Sequence, residues 1–172
     1  MDENHPTVGQ SPYSATKISA DQLAISYHRS FDMPIKLVRP FNTYGPRQSA
    51  RAIIPTVISQ ILKGSKSIEL GNLSPTRDLN YVLDTVSGFI EISKREIFSG
   101  CATNIGSNTE ISVHDLIKII IKLIGEEVEL IIDNDRIRPA QSEVERLYAD
   151  NTKLLSNSDW QQKYSLEDGL ML

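Results

Sequence analysis

The amino-acid sequence predicts an α/β fold, because helical and strand patterns alternate along its 172 residues. The helical pattern is clearest near the start, where apolar side chains recur at i, i+3, i+4 and i+7 from Ala20 to Tyr27. This spacing predicts a helix over residues 14–30. The short apolar run "MPIKLVRPF" follows it, is bounded by prolines and predicts a buried strand.

The later elements continue the alternation. Apolar residues from Ile54 to Leu62 predict a second helix that ends at Gly64. Asp84 is predicted to cap a third helix and Ser112 a fourth, because both are good N-cap residues that precede apolar helical repeats. Further strands are predicted at "SIELG", "CATNIGS" and "VELII".

Three polar segments separate these elements. "NTYGPRQSA" is predicted to be a loop from its Asn, Gly and Pro content. "NLSPTRDLNYV" is predicted to be a loop that runs into a short extended piece, and "DNDRIRPAQSEVERLYAD" to be irregular. Two short helices, one from about Thr152 and one capped by Ser165, are predicted to close the chain.

Composition limits the kinds of partner and site. The formal net charge of -4 argues against nucleic-acid binding, which needs a basic face to neutralise phosphates. Cys101 is the one cysteine, and His5, His28 and His114 are too dispersed for a helix-borne metal pair. No apolar run reaches the ~18 residues of a membrane span. We therefore predict a cytoplasmic protein with no metal site, no nucleic acid and no membrane partner.

The stretch "SPYSATKISADQL" is the first candidate for chemistry. Tyr13 and Lys17 lie four residues apart, which places them on one face of a helix. A cation beside a phenol favours the phenolate, which can take the proton of a substrate hydroxyl while hydride leaves the same carbon. Two ordinary interpretations remain open. The pair could lie on a solvated face, or Lys17 could form a surface ion pair with Asp21, one turn further on.

Five motifs occur in order along the chain: "SPYSATKISADQL", "LVRPFNTYGPRQ", "TRDLNYVLD", "TNIGS" and "RPAQSEVERLYADNTKL". Their order and spacing resemble the extended short-chain dehydrogenase/reductase family, in its nucleotide-sugar epimerase and dehydratase branch. Within it, the chain is most similar to NAD-dependent 4,6-dehydratases acting on UDP-N-acetylglucosamine-type sugars, those of legionaminic acid synthesis above all. The resemblance implies the C-terminal part of a Rossmann-like doubly wound domain plus a small α/β substrate-binding region.

The resemblance also implies the cofactor and the residues that meet it. The cofactor is NAD, Tyr13 is the catalytic base, and Lys17 is its partner and a ligand of the nicotinamide ribose. Pro40 and Phe41 would line the nicotinamide pocket.

The implied substrate is a nucleotide sugar of the UDP-hexose type, whose pyrophosphate suits the planar donor fork of arginine. The residues assigned to it by the resemblance are Asn42, Arg77, Asn104 and Arg138. Other roles stay open: Asn42 could be a turn residue, Asn104 could satisfy backbone groups, and either arginine could be a solvated surface residue. Arg146 could contact the nucleotide or pair with Glu143 or Glu145.

The family's cofactor loop has no counterpart in this sequence. Complete members begin with a strand and a Gly-rich turn that holds the cofactor pyrophosphate, and no G-x-x-G-x-x-G occurs here. We therefore expect the C-terminal half of such an enzyme, inactive in isolation, with a homodimer or a complementing N-terminal half as its partner. Residues 1–40 are expected to be a remnant of the NAD-binding domain. Residues 41–172 are expected to be mainly the substrate-binding region, with elements near 82–106 returning to the Rossmann sheet.

The implied reaction of the parent enzyme is oxidation at C4 of the sugar, loss of water, and reduction at C6. A 4-epimerase shares the first step, and a non-catalytic nucleotide-sugar-binding remnant would share only the binding site. Dehydratases of the family eliminate water with an acidic pair that lies upstream of the tyrosine. The sequence therefore leaves these alternatives open.

Overall fold

A computed structural model describes residues 1–133 and 144–172 and confirms the α/β fold. Helices and strands alternate through these ranges, as the sequence predicts. The helices are α1 (Pro12–Phe31), α2 (Ile53–Leu62), α3 (Val82–Lys94), α4 (Val113–Ile124), α5 (Thr152–Asn157) and α6 (Leu166–Met171). The strands are β1 (Leu37–Pro40), β2 (Asn42–Tyr44), β3 (Ser67–Leu70), β4 (Thr76–Arg77), β5 (Leu79–Tyr81), β6 (Ala102–Ile105), β7 (Ile111–Ser112), β8 (Glu129–Ile132) and β9 (Arg146–Leu147).

Strand pairing joins distant parts of the chain. β1 pairs with β6, β2 with β5 and β3 with β8, all parallel. β4 lies between β7, which is antiparallel to it, and β9, which is parallel. Parallel strands need long crossover connections, and helices supply them here. The carboxyl ends of β1 and β6 therefore meet at one edge, where the Phe41 N–H donates to the Ile105 carbonyl at 2.8 Å.

Two apolar clusters hold these layers together. The larger one packs α2 and α4 onto β3 and β5, with Val57, Ile68 and Ile117 fully buried in it. The smaller one fills the space between α3, β6 and α5 and contains the buried Trp160. Each side chain of this size contributes about 1.5–3 kcal/mol when it leaves water.

Side-chain caps define several helix ends. Ser11 begins α1, and its hydroxyl accepts from the Ser14 N–H at 3.2 Å. Ser112 caps α4 as predicted, since its hydroxyl accepts from the Asp115 N–H at 3.0 Å. Ser165 caps α6 in the same way. These bonds satisfy backbone donors that a helix leaves free in its first turn.

Three expectations about elements were wrong. "NTYGPRQSA" is not all loop, because Asn42–Tyr44 form β2. This strand pairs in parallel with β5, which lies more than 30 residues further along the chain. Asp84 is not an N-cap: α3 begins at Val82, and the carboxylate accepts from the N–H groups of Lys163 and Tyr164 instead. The segment predicted to be irregular contains β9.

The layer of β1, β6 and α3 is where the chain near 82–106 joins the first strand. The domain division at residue 40 and the return of these elements to the Rossmann sheet stay predictions. None of the helices in the described ranges is long and apolar enough to cross a membrane. Within the same ranges, no group of three or more His, Cys, Asp or Glu side chains is arranged to hold a metal ion.

Candidate active site

The Tyr13–Lys17 pair lies in the first two turns of α1. Because Ser11 and Pro12 fix the start of the helix, Tyr13 falls one turn before Lys17 on the same face. The Lys17 ammonium lies 5.5 Å from the centre of the Tyr13 ring. The Tyr13 side chain is 72% exposed. The predicted pair is therefore brought together, with the ring open to an incoming molecule.

The alternative Lys17–Asp21 pair is not formed, because Asp21 has a different partner. Both Nε and Nη2 of Arg39 lie 2.9 Å from Oδ2 of Asp21. Arg39 lies on β1, so this ion pair links the helix that carries Tyr13 and Lys17 to the strand that leads to Pro40 and Phe41. Lys17 is left in contact with the tyrosine.

Pro40, Phe41 and Asn42 follow one another where β1 ends and β2 begins. In parallel α/β sheets, ligands bind at the carboxyl ends of the strands, which is where these residues lie. The Asn42 amide donates to the Asp78 carbonyl at 3.4 Å, a long hydrogen bond that leaves the side chain weakly held. Their position fits the predicted roles, which stay predictions.

Arg77 lies on β4, directly before the short connection to β5, the strand that pairs with β2. Asn42 is in register with Leu79, two residues after Arg77. Nη1 of Arg77 donates to its neighbour Thr76 at 2.9 Å and to the Val144 carbonyl at 2.7 Å. Asn42 on β2 and Arg77 on β4 therefore belong to different sheets, which the chain connects through Asp78, between β4 and β5. The fourth predicted ligand, Arg138, lies outside the described residues.

Asn104 occupies a more enclosed position than the other predicted ligands. Its side chain is buried on β6, and its amide donates to the carbonyls of Met1 at 3.1 Å and Asp150 at 3.2 Å. Its backbone N–H donates to the Glu3 carboxylate at 2.8 Å. These contacts are the backbone-satisfying role that the sequence left open. A direct role in substrate binding stays a prediction.

Two carboxylates near the site were not singled out from the sequence. Asp78, next to Arg77, is fully buried and accepts from Ser107, Asn108 and Ala149. Burial raises the pKa of Asp78, while these hydrogen bonds act in the opposite direction. The signal was available in "TRDL", where a charged residue stands between two short β-segments.

Glu110 is the second carboxylate, and it is a partner of Arg146 that the sequence did not suggest. Arg146 donates to Glu110 through Nε at 2.8 Å and Nη2 at 2.7 Å, and Thr76 donates to the same carboxylate at 2.9 Å. Glu145 directly precedes β9 and forms no ion pair with Arg146 in the described part of the chain, and Glu143 lies outside the described residues. The Arg146 and Thr76 donors lower the pKa of Glu110 to about 2.

A separate cleft of about 430 Å³ lies between the loop after β2, α2 and α6. Tyr44, Arg47, Ile58 and Leu170 are among the residues that line it. None of the predicted site residues that the structure describes lines this cleft. It is therefore distinct from the candidate active site.

The family model described as GDP-mannose 4,6 dehydratase matches residues 1–171 of this chain. The chain belongs to the GDP-mannose 4,6 dehydratase family. Among relatives, the low-salt glycan biosynthesis protein Agl12 of Haloferax volcanii is 32% identical over 171 residues, which are 98% of this chain and 53% of Agl12.

Solved structures of nucleotide-sugar enzymes are similar to the chain in fold and sequence. A dTDP-glucose 4,6-dehydratase of Bacillus anthracis in complex with NAD has a TM-score of 0.84 and 30% identity, covering 98% of this chain and 52% of that one. A UDP-glucuronic acid 4-epimerase of Bacillus cereus in complex with UDP-glucuronic acid and NAD has a TM-score of 0.84 and 29% identity, covering 95% of this chain and 51% of that one. The nucleotide-sugar epimerase and dehydratase branch predicted from the motifs is thereby confirmed. This family member spans about half the length of the relatives it matches.

Proposed function

We propose that this chain supplies the Tyr–Lys pair and the nucleotide-sugar-binding region of an NAD-dependent nucleotide-sugar 4,6-dehydratase. The observation that carries the proposal is the contact between the Lys17 ammonium and the Tyr13 ring, on a helix tied to the strand that ends at Pro40. Relatives with dehydratase names support the reaction class. The legionaminic-type substrate stays a prediction.

The residues present suit the nicotinamide-ribose end of NAD. The Lys17 ammonium and the Tyr13 phenol lie side by side, and both can donate hydrogen bonds to ribose hydroxyls. Pro40 and Phe41 supply apolar surface at the carboxyl end of β1. Hydride acceptance from C4 and its return at C6 is the chemistry that NAD supplies when bound.

The chain's own residues would handle protons and charge. Tyr13 in its phenolate form would accept the proton of the C4 hydroxyl. The Lys17 ammonium would stabilise that phenolate and so make Tyr13 a stronger catalyst of proton removal at neutral pH. Arg77 and Arg138 would neutralise the pyrophosphate of the nucleotide sugar, and Asn42 would orient the sugar or phosphate by hydrogen bonds.

A 4-epimerase is the second candidate, because 4-epimerases also match nearly the whole chain. It would use the same Tyr13–Lys17 proton transfer. The two differ in outcome: a dehydratase product has lost one water, whereas an epimerase product keeps the mass and inverts C4. A non-catalytic binding role is the third candidate and predicts binding without turnover.

The test begins with binding. Titration calorimetry of the chain with UDP-N-acetylglucosamine should give saturable binding that Arg77→Gln weakens about tenfold or more, the loss expected for a charge-assisted hydrogen bond. Arg29→Gln, an exposed arginine in the last turn of α1, is the matched control and should bind as the parent chain does. Equal binding by Arg77→Gln and the parent would remove Arg77 from the site.

Because the chain is expected to be inactive alone, turnover is measured next with NAD and an N-terminal half from a relative present. Mass spectrometry and NMR of the sugar product separate water loss from inversion at C4, and Tyr13→Phe should abolish either. Binding without any product, even when the N-terminal half is present, would favour the binding role. Product formation that survives Tyr13→Phe would overturn the assignment of the base.

The expected partner is a second copy of the chain or a complementing N-terminal half. No residue of α1 is buried, and Leu23, Tyr27 and Phe31 expose 61%, 47% and 69% of their surfaces along it. Apolar stripes of this kind usually meet another protein surface. Light scattering during size-exclusion chromatography would distinguish a monomer from a homodimer. Mixing with an N-terminal half from a relative would test complementation.

A further inference from the structure

The Tyr13–Lys17 pair has a competing carboxylate one turn away. Tyr13, Lys17 and Asp21 occupy positions i, i+4 and i+8 of α1 and so lie on one face. The Asp21 side chain is only 27% exposed, and a carboxylate that has lost most of its water needs a positive partner. If Asp21 had none, the nearest cation along the helix would be the Lys17 ammonium, which would leave the tyrosine ring.

Arg39, on β1, is the partner that Asp21 has in the structure. Its Nε and Nη2 both lie 2.9 Å from Oδ2 of Asp21, and its own side chain is 28% exposed. Nη1 of the same guanidinium donates to the Glu3 carbonyl at 3.3 Å, which fixes the direction of the fork. An arginine held on two sides in this way is a preorganised partner for one carboxylate.

We propose that Arg39 and Asp21 are positioning residues for the Tyr13–Lys17 pair. The Arg39 guanidinium binds the Asp21 carboxylate and thereby keeps the Lys17 ammonium on the Tyr13 ring. Because Arg39 immediately precedes Pro40, the same ion pair sets how the reactive face of α1 is turned toward the end of β1. This deepens the proposed function and rests on it for the catalytic meaning of the Tyr13–Lys17 contact.

The contact itself can be observed by NMR without cofactor or substrate. In the full 172-residue chain, a nuclear Overhauser effect between the Tyr13 ring protons and the Lys17 ε-methylene protons reports it. Arg39→Gln frees the Asp21 carboxylate, so the effect should be lost. Asp21→Asn removes the competing charge, so the effect should remain. The double variant Arg39→Gln/Asp21→Asn should regain it.

This pattern separates positioning from simple docking of the helix. Both single variants break the same ion pair, so a purely structural role predicts equal losses in both and no recovery in the double variant. Either result would overturn the proposal, as would an undiminished signal in Arg39→Gln. Arg29→Gln serves as the control for loss of an arginine elsewhere and should keep the effect. If Arg39→Gln fails to give a folded circular-dichroism spectrum, Arg39→Met, which keeps the aliphatic stem, takes its place in the same comparison.

The outcome is independent of the binding and turnover tests. A chain that binds no NAD can still show the predicted pattern, which would leave the positioning role standing and remove its catalytic meaning. A chain that binds NAD and shows equal losses in both single variants would keep the proposed function and lose the positioning role.

Discussion

The buried carboxylate of Asp78 binds Ser107 twice, because Oδ1 accepts from the backbone N–H and from the hydroxyl of Ser107, both at 2.8 Å. The other oxygen accepts from the N–H groups of Asn108 at 3.1 Å and Ala149 at 3.2 Å. One side chain therefore ties the turn after β6 and the segment after β9 to the strand beside Arg77. Asp78 directly follows Arg77, so this connection lies next to that arginine in the chain.

Asp78→Asn should destabilise the chain. The new amide keeps one oxygen for Ser107 but turns a donor toward the N–H groups of Asn108 and Ala149, and each buried donor left without an acceptor costs about 1–3 kcal/mol. We expect the free energy of unfolding to fall by about 2–4 kcal/mol in urea denaturation. Asp32→Asn, at an exposed left-handed C-cap that asparagine tolerates, is the control and should change little. Equal urea midpoints for the two variants would show that the hydrogen bonds of Asp78 do not stabilise the fold.

Glu110 should make stability depend on acid pH. Arg146 and Thr76 lower its pKa from 4.5 to about 2 in the folded chain, so its ionised form stabilises the fold above the unfolded pKa. That contribution is present at neutral pH and is lost as the pH falls from about 4.5 toward 2. Glu110→Gln should therefore lower the urea midpoint at pH 7, and the gap to the parent should narrow as the pH falls.

The comparison needs a glutamate without this environment. Glu127 is exposed in the loop after α4, and Glu127→Gln changes the formal charge by the same amount. The urea midpoint of Glu127→Gln should equal that of the parent chain at each pH. A gap between Glu110→Gln and the parent that stays constant down to pH 3 would show that the ion pair does not supply the stability.

The sequence predicted elements whose signal is local. The apolar period of α2 and α4, the serine caps and the spacing of Tyr13 and Lys17 are all contained within a few turns of chain, and each was confirmed in the structure. The resemblance in the ordered motifs was also enough to predict the family.

The features that escaped prediction depend on residues far apart in the sequence. β2 exists because β5 supplies its partners, and Asp84 binds the backbone near Tyr164 rather than its own helix end. The preference of Arg146 for Glu110 likewise follows from strand order. No local pattern encodes such pairings. The sequence therefore predicted a loop at β2, a helix cap at Asp84 and a nearby glutamate as a partner of Arg146.

Trp160 offers an internal probe of the smaller core. It is the chain's single tryptophan, is 3% exposed, and donates through Nε1 to Asp84 O at 3.1 Å and to Ser87 Oγ at 2.9 Å. Its fluorescence should shift to longer wavelength when the chain unfolds in urea. Ser87→Ala removes one acceptor while Asp84 O remains, so we expect a loss of about 0.5–1.5 kcal/mol in unfolding free energy. Ser93→Ala in the same helix, whose exposed hydroxyl bonds only its own turn, is the control.

Gly169 in α6 should respond to alanine in the opposite direction from most helical glycines. An alanine inside a helix normally stabilises it by about 1 kcal/mol relative to glycine. Here an added Cβ would lie 2.3 Å from the Tyr44 hydroxyl and 2.8 Å from Cδ2 of Tyr81. Tyr44 is buried, and its hydroxyl donates to the Leu166 carbonyl at 3.1 Å, so it has little room to move.

Gly169→Ala must therefore displace α6 or break that hydrogen bond, and we expect the unfolding free energy to fall by about 1–3 kcal/mol, the usual cost of overpacking. The melting temperatures of Gly169→Ala and Glu167→Ala are compared by calorimetry. Glu167 is exposed in the same helix, so Glu167→Ala reports the effect of a surface change alone. A higher melting temperature for Gly169→Ala than for the parent would mean that helix propensity outweighs the contact with Tyr44. In that case α6 would not be held against β2 as closely as the structure shows.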